Sequence, residues 1–253
     1  MIPLRDMIPT RTRPVVTEAL IMLNVGVYLV QLLLGSDDAE RLTLRFGLVP
    51  AVLTGGSLFV PNSLGGAAGA LVTPLTSMFL HGGLMHLVGN MWFLWIFGDN
   101  VEESLGRLRY LAYYLLTGLC AAGLQVASAP TSVMPMVGAS GAISGILAGY
   151  VLLHPRARIV TLVPLVIFFT TFEIPAFWFI FIWFGLQLLN GLVSLQSLSQ
   201  DGGVAWWAHV GGFIGGFAFL KAFLPDVADR WERMPPRGRS EPPPRSREDD
   251  WGR

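Results

Sequence analysis

Ser140 stands in the stretch VGASGAISGILAG, Val137 to Gly149, just after a Gly-Ala turn and just before Gly141, Gly145 and Gly149. Glycines at every fourth position form one smooth stripe on a helix, which lets another helix approach closely. A hydroxyl at the mouth of that helix meets free N–H groups and the positive end of the dipole, which suit an oxyanion. Serine is a weak nucleophile until a neighbouring base takes its proton. The sequence offers His209 as that base, in AHVGGFIGG, with Gly212 and Gly216 on the same helical face. Packing this face on the first stripe carries His209 to Ser140. Taken singly, Ser140 reads as a helix N-cap and His209 as an interhelical hydrogen-bonding residue. Their matched depth and complementary glycine faces favour a nucleophile and its base.

A third stretch, HGGLMHLVGN, supplies His81, His86 and Asn90. His86 and Asn90 are i, i+4 neighbours, and both can donate to the oxyanion of a tetrahedral intermediate. The other reading is a pair of polar bonds between helices. His81 lies ahead of the regular helix and reads as structural. The chain has no His-Glu-x-x-His and a single cysteine, so no metal ion and no cofactor is expected. Cys120 sits in an apolar run and reads as packing.

These residues need apolar elements to hold them. Of 253 residues, 53% are hydrophobic and only 13% charged, and the mean hydropathy is +0.56. That balance indicates a bilayer rather than a large aqueous core. Seventeen bases against seventeen acids give no net charge, and hence no reason to expect a nucleic-acid partner. Apolar runs of near-membrane length fall at about Val15–Leu34, Leu75–Phe97, Leu108–Ser128, Ser140–Leu153, Ile174–Leu195 and Ala205–Leu224. The expected architecture is therefore an all-α membrane protein of six transmembrane helices with a long outer first loop, roughly Gly35–Pro74. Ile159–Phe172 is apolar but interrupted by Pro164, and reads as membrane-surface or protein-buried chain, or as part of a merged longer helix.

Arginines group before the first run (Arg5, Arg11, Arg13) and in alternate connections (Arg107, Arg109, Arg156, Arg158). By the positive-inside rule both termini are cytoplasmic. Residues 1–14 read as a cytoplasmic N-terminal segment and 15–224 as the transmembrane domain. The Pro/Arg-rich 225–253 reads as a disordered cytoplasmic tail. The fourth run is short: about 15 residues at 1.5 Å each give ~22 Å, against a hydrocarbon slab ~30 Å thick. With Arg156 and Arg158 at the inner surface, Ser140 ends up below the outer face, where irregular chain requires a cavity or protein around it.

HGGLMHLVGN, GDNVEESLGRLRY, GASGAISG and AHVGGFIGG, in that order over about Val15 to Leu224, resemble the rhomboid family of intramembrane serine proteases. The resemblance implies a six-helix bundle in the plasma membrane that cleaves transmembrane segments of other proteins at small residues. It implies Ser140 as nucleophile, His209 as base in a dyad with no acidic third member, and His86, Asn90 and the Ser140 amide as oxyanion hole. Gly138 would shape the loop before the serine, Gly141 and Gly212 would support close packing, and Glu102, Gly106 and Arg107 would hold the fold. Many members carry an aromatic residue four positions after the nucleophile, packed on the histidine; here that position is Ser144. The aromatic stretch FWFIFIWFGLQLL looks like the family's gating helix. A catalytically silent relative that binds membrane segments is the alternative, and it predicts loss of Ser140 or His209. The natural substrate and the oligomeric state are not read from the sequence.

Overall fold

The structure is a computed structural model, and it describes residues 1–55, 69–165, 168–194 and 204–233. Its order begins with strand β1 (Ile2–Asp6) and helix α1 (Val15–Leu33). The connection from α1 to the next long helix holds α2 (Gly35–Phe46), α3 (Pro50–Leu53), α4 (Thr73–Thr76) and a 3-10 turn at Ser77–Phe79. Then come α5 (Leu84–Leu105), α6 (Arg107–Ser128) and α7 (Ser140–Leu153). Strands β2 (Arg158–Leu165) and β3 (Phe168–Pro175) precede α8 (Ala176–Ser194) and α9 (Trp206–Arg233). Helices thus stand at or near the six expected apolar runs, five of them long and one, α7, short.

Three of these helices, α1, α6 and α8, are long and apolar enough to cross a membrane. α5 is long enough, but His86, Asn90, Asp99 and Asn100 lower its hydropathy. α7 is apolar but short, with 14 residues. The exposed sides of α1 and α8 carry Met22, Leu29 and Val30 and Trp178, Ile182 and Leu189. Such faces are costly in water and natural against lipid tails.

α7 is the axis of the molecule. Every residue from Gly141 to Val151 is buried, so no polar face breaks its pattern, as expected for a helix enclosed on all sides. Its glycine stripe faces α6. A Cβ on Gly141 would meet Ala121 Cβ at 2.5 Å, one on Gly145 would run into Thr117, and one on Gly149 would meet the Tyr113 hydroxyl at 2.9 Å. The last helix lies against the backbone of the same stripe: a Cβ on Gly212 would collide with the Gly141 carbonyl, and one on Gly216 would reach the Gly145 carbonyl at 2.7 Å. The expected pairing of the two glycine faces is therefore present, but the Cβ directions of the α7 stripe point to α6. The Tyr113 hydroxyl ties the three helices together, 2.8 Å from the Gly145 carbonyl and 2.9 Å from that of Gly216.

The motif GDNVEESLGRLRY closes the opposite end. Glu102 accepts from the amides of Val16 (3.0 Å) and Thr17 (2.8 Å) and from the Thr17 hydroxyl (2.9 Å). A buried carboxylate so placed caps the free amides of α1 and matches its dipole. Gly106, at φ +79°, ends α5 and starts α6, a conformation that favours glycine. Arg107 is exposed.

Two expectations need correction. The protein is not all-α: β1, β2 and β3 form an antiparallel three-stranded sheet in that order. RIVTL and FFTTFEI are rich in β-branched and aromatic residues that suit a pleated, half-buried surface, while their uniform apolarity mimics membrane chain. The N-terminal segment pairs into this sheet, Ile2 with Leu162 and Asp6 with Ile159. Asp6 accepts from the Tyr150 hydroxyl at 2.7 Å and from Asn100 at 2.8 Å. Burial pushes its carboxyl above the ordinary carboxylate range. Finally, α9 runs on to Arg233, past the expected boundary at Leu224. VADRWER after Pro225 contains adequate helix formers, and a reading weighted by the proline stops too early. The remainder of the expected tail, 234–253, lies outside the described residues, as does 56–68 of the first outer loop.

Candidate functional site

Ser140 is the first residue of α7, and its hydroxyl does not cap the helix. It lies 2.8 Å from Nε2 of His209, which decides against the N-cap reading. The half-buried Ser140 and the buried His209 come from the N-terminal ends of α7 and α9. Gly141 and Gly212 permit the approach, since a side chain at Gly212 would occupy the space of the Gly141 backbone. The first amides of α7 have no carbonyl ahead of them to bond, so the serine sits where negative charge is favoured.

His86 and Asn90 face the turn that precedes Ser140. A Cβ on Gly138 would stand 2.7 Å from His86 Nε2 and 3.6 Å from Asn90 Nδ2. Gly138 has φ +124°, so both its backbone conformation and its surroundings call for glycine. The Asn90 amide nitrogen is buried and has no hydrogen-bond partner among the described residues. Such a donor costs free energy unless something fills its hydrogen bond, and it lies beside the turn that leads to Ser140. His81 lies outside the regular helix, as expected. Its ring packs edge-on to His86, with centroids 5.2 Å apart. Gln31 of α1 clamps its backbone, donating to the His81 carbonyl at 3.2 Å and accepting from its amide at 3.1 Å.

The outer connection fixes the turn. Leu48 and Met136 exchange backbone bonds at 3.0 and 2.8 Å, and the Gly138 amide donates to the Ser77 carbonyl at 2.9 Å. Beside Ser140 lies a recess of about 10 Å³, walled by Gly118, Ala121, Gly138, Gly141 and Ala142 over Met78. That is room for about one water molecule; Pro74, Met136 and Val137 also line it.

Ser144 is buried, and its hydroxyl donates to the Ser140 carbonyl at 2.7 Å. No base faces it among the described bonds. The histidine is held by other groups. Its Nδ1 lies 2.7 Å from Gln187 Oε1 on α8. Trp183 and Trp206 flank the ring with centroids at 6.0 and 6.1 Å. The sequence reading passed over Gln187. One signal is there: Ala176, Phe179, Ile180, Gln187 and Gly191 are the buried side of α8, and Gln187 is the one polar residue on it.

Fold and site together define a helical membrane protein with a serine–histidine pair recessed at two helix N-termini. The sequence profile of the rhomboid domain matches residues 68–225, more than half of the chain. The chain belongs to the rhomboid family. Among curated proteins it is similar to presenilin-associated rhomboid-like protein A, mitochondrial, of Danio rerio, at 29% identity over 57% of this chain and 35% of that protein. It is similar to RHOMBOID-like protein 7 of Arabidopsis thaliana at 28% identity, over 62% of this chain and 44% of that one. With Rhomboid-like protease 5 of Toxoplasma gondii the identity is 31%, over 65% of this chain and 18% of that one. The chain thus spans less than half the length of each of these relatives.

Proposed function

We propose that this rhomboid protein is an intramembrane serine endopeptidase that cleaves membrane-spanning segments of other proteins. The observation that carries the reading is the 2.8 Å approach of Ser140 Oγ to His209 Nε2. In the proposed reaction His209 takes the hydroxyl proton as Ser140 attacks the substrate carbonyl. The oxyanion receives hydrogen bonds from the unpartnered Asn90 amide, from His86 and from the first amides of α7. His209 then protonates the leaving amine, and water, deprotonated by the same ring, hydrolyses the acyl-serine and restores the hydroxyl. The recess beside Ser140, about 10 Å³ in volume, suits only a small substrate side chain. One similar protein, from Toxoplasma gondii, is named a protease. A catalytically silent rhomboid-like protein remains the other class, and the presence of both Ser140 and His209 counts against it.

The fuller arrangement proposed is six spans, Val15–Leu33 through α9, with both termini cytoplasmic and the membrane the plasma membrane. The compartment rests on the six-helix core alone, and the Danio rerio relative is named mitochondrial. The deciding experiment is covalent labelling by a fluorophosphonate probe in membranes. Wild type is expected to label and Ser140→Ala not to label, with N-terminal sequencing showing cleaved single-span proteins only in the wild type. Labelling that persists in Ser140→Ala rejects the assignment.

A further inference from the structure

We infer that Gln187 is the positioning residue of the dyad, the uncharged acceptor that sets the proton on His209; this rests on the protease reading above. A neutral imidazole carries one N–H, and its other nitrogen is the acceptor. For Nε2 to take the Ser140 proton, the ring proton must sit on Nδ1. The Gln187 carbonyl oxygen lies 2.7 Å from Nδ1, and a carbonyl only accepts, so Nδ1–H donates to it. Nε2, 2.8 Å from Ser140 Oγ, is thereby left as the base. The opposite tautomer would place two lone pairs face to face at Gln187 and would make Nε2 a donor to Ser140 rather than a base for it.

Both ends of this bond are shielded. Gln187 is 8% exposed and His209 7%, and Trp183 and Trp206 stand beside the ring. The described cavity has no acid facing His209; a buried carboxylate there would carry a large desolvation cost. An amide carbonyl performs the same orientation without a charge, and its bond strengthens when the ring becomes an imidazolium. Gln187 comes from α8, whereas Ser140 and His209 come from α7 and α9. The three-residue line therefore joins three helices, and the base is set only when α8 is in place.

The test is the second-order rate of fluorophosphonate labelling of the full-length protein across pH, for wild type, Ser140→Ala, Gln187→Leu and Gln187→Glu. Gln187→Leu removes the acceptor and is expected to label about 10- to 100-fold more slowly, with unchanged thermal unfolding. Gln187→Glu keeps an acceptor and is expected to retain labelling while moving the rising limb of the pH–rate profile to higher pH, because a carboxylate stabilises the imidazolium. Wild-type rate and wild-type profile in Gln187→Leu overturn the role. Where Gln187→Leu does not fold, an unmoved profile in Gln187→Glu overturns it instead. Labelling retained by Ser140→Ala, or absent from the wild type, overturns the protease reading itself and the role of Gln187 with it.

Discussion

Gly138 shows how much of the site depends on the smallest residue. Its φ of +124° is one that L side chains rarely adopt. A methyl group there would stand 2.7 Å from two atoms of the His86 ring. Gly138→Ala is therefore expected to displace His86 from the space beside Ser140 and to cost about 1–3 kcal/mol of stability. Fluorophosphonate labelling and thermal unfolding, measured together, check this; an unchanged labelling rate would mean that His86 does not act at the oxyanion. GASG in the sequence marks the turn, and the structure adds what the glycine makes room for. Ser144 is the converse case. The absence of an aromatic ring at that position is plain in the sequence, but what replaces it is not. Trp183, Trp206 and Gln187 converge on His209 from two other segments of the chain.

Helices pack here through glycine faces, and the faces are not equal. Gly216 of α9 lies on Gly145 and Ala148 of α7, and an added Cβ would meet the Gly145 carbonyl and the Ala148 methyl at 2.7 Å each. Backbone does not yield cheaply, so Gly216→Ala is expected to destabilise by about 1–3 kcal/mol. Gly185 of α8 has nothing within 4 Å of such a Cβ. Gly185→Ala is expected to be neutral or to stabilise by up to about 1 kcal/mol, by helix propensity. Equilibrium unfolding of the two variants in detergent separates the cases, and equal effects would show that α7 and α9 are not in close contact. The spacing in AHVGGFIGG announces α7 as the close partner, and the structure adds that Gly211 and Gly215 lie equally close on Cys120 of α6. The strands were harder to see. Alternation in β2 appears only as burial, with Ile159 and Thr161 fully enclosed, because the residues between them are apolar too.

At the scale of the molecule, the arginines before α1 and in the connections after α5 and α7, with the apolar exposed faces of α1 and α8, support the proposed placing of both termini on one side of the membrane. Reporter fusions that fluoresce only in the cytoplasm, placed separately at Met1 and after Arg253, are expected to be bright in both positions. One bright and one dark fusion would require an odd number of spans. The sheet ties the N-terminal end to the middle of the chain: β1 joins β2, and Asp6 reaches Tyr150 of the central helix. The N-terminal residues are therefore part of the fold, although nothing in MIPLRD distinguishes them from an ordinary leader to the first helix.

By itself the sequence determined the apolar lengths, the helix-entry serine, the glycine spacings and the His86–Asn90 pair, because each is a local pattern set by the period of one helix. Tertiary structure alone decided that Gln187 faces Nδ1, that Leu48 and Ser77 hold the turn before Ser140, and that residues 2–6 pair with 159–162. These contacts join segments far apart in the chain. Their geometry follows from how rigid helices pack around α7, and a helix buried on every side carries no periodic mark of which neighbour it meets.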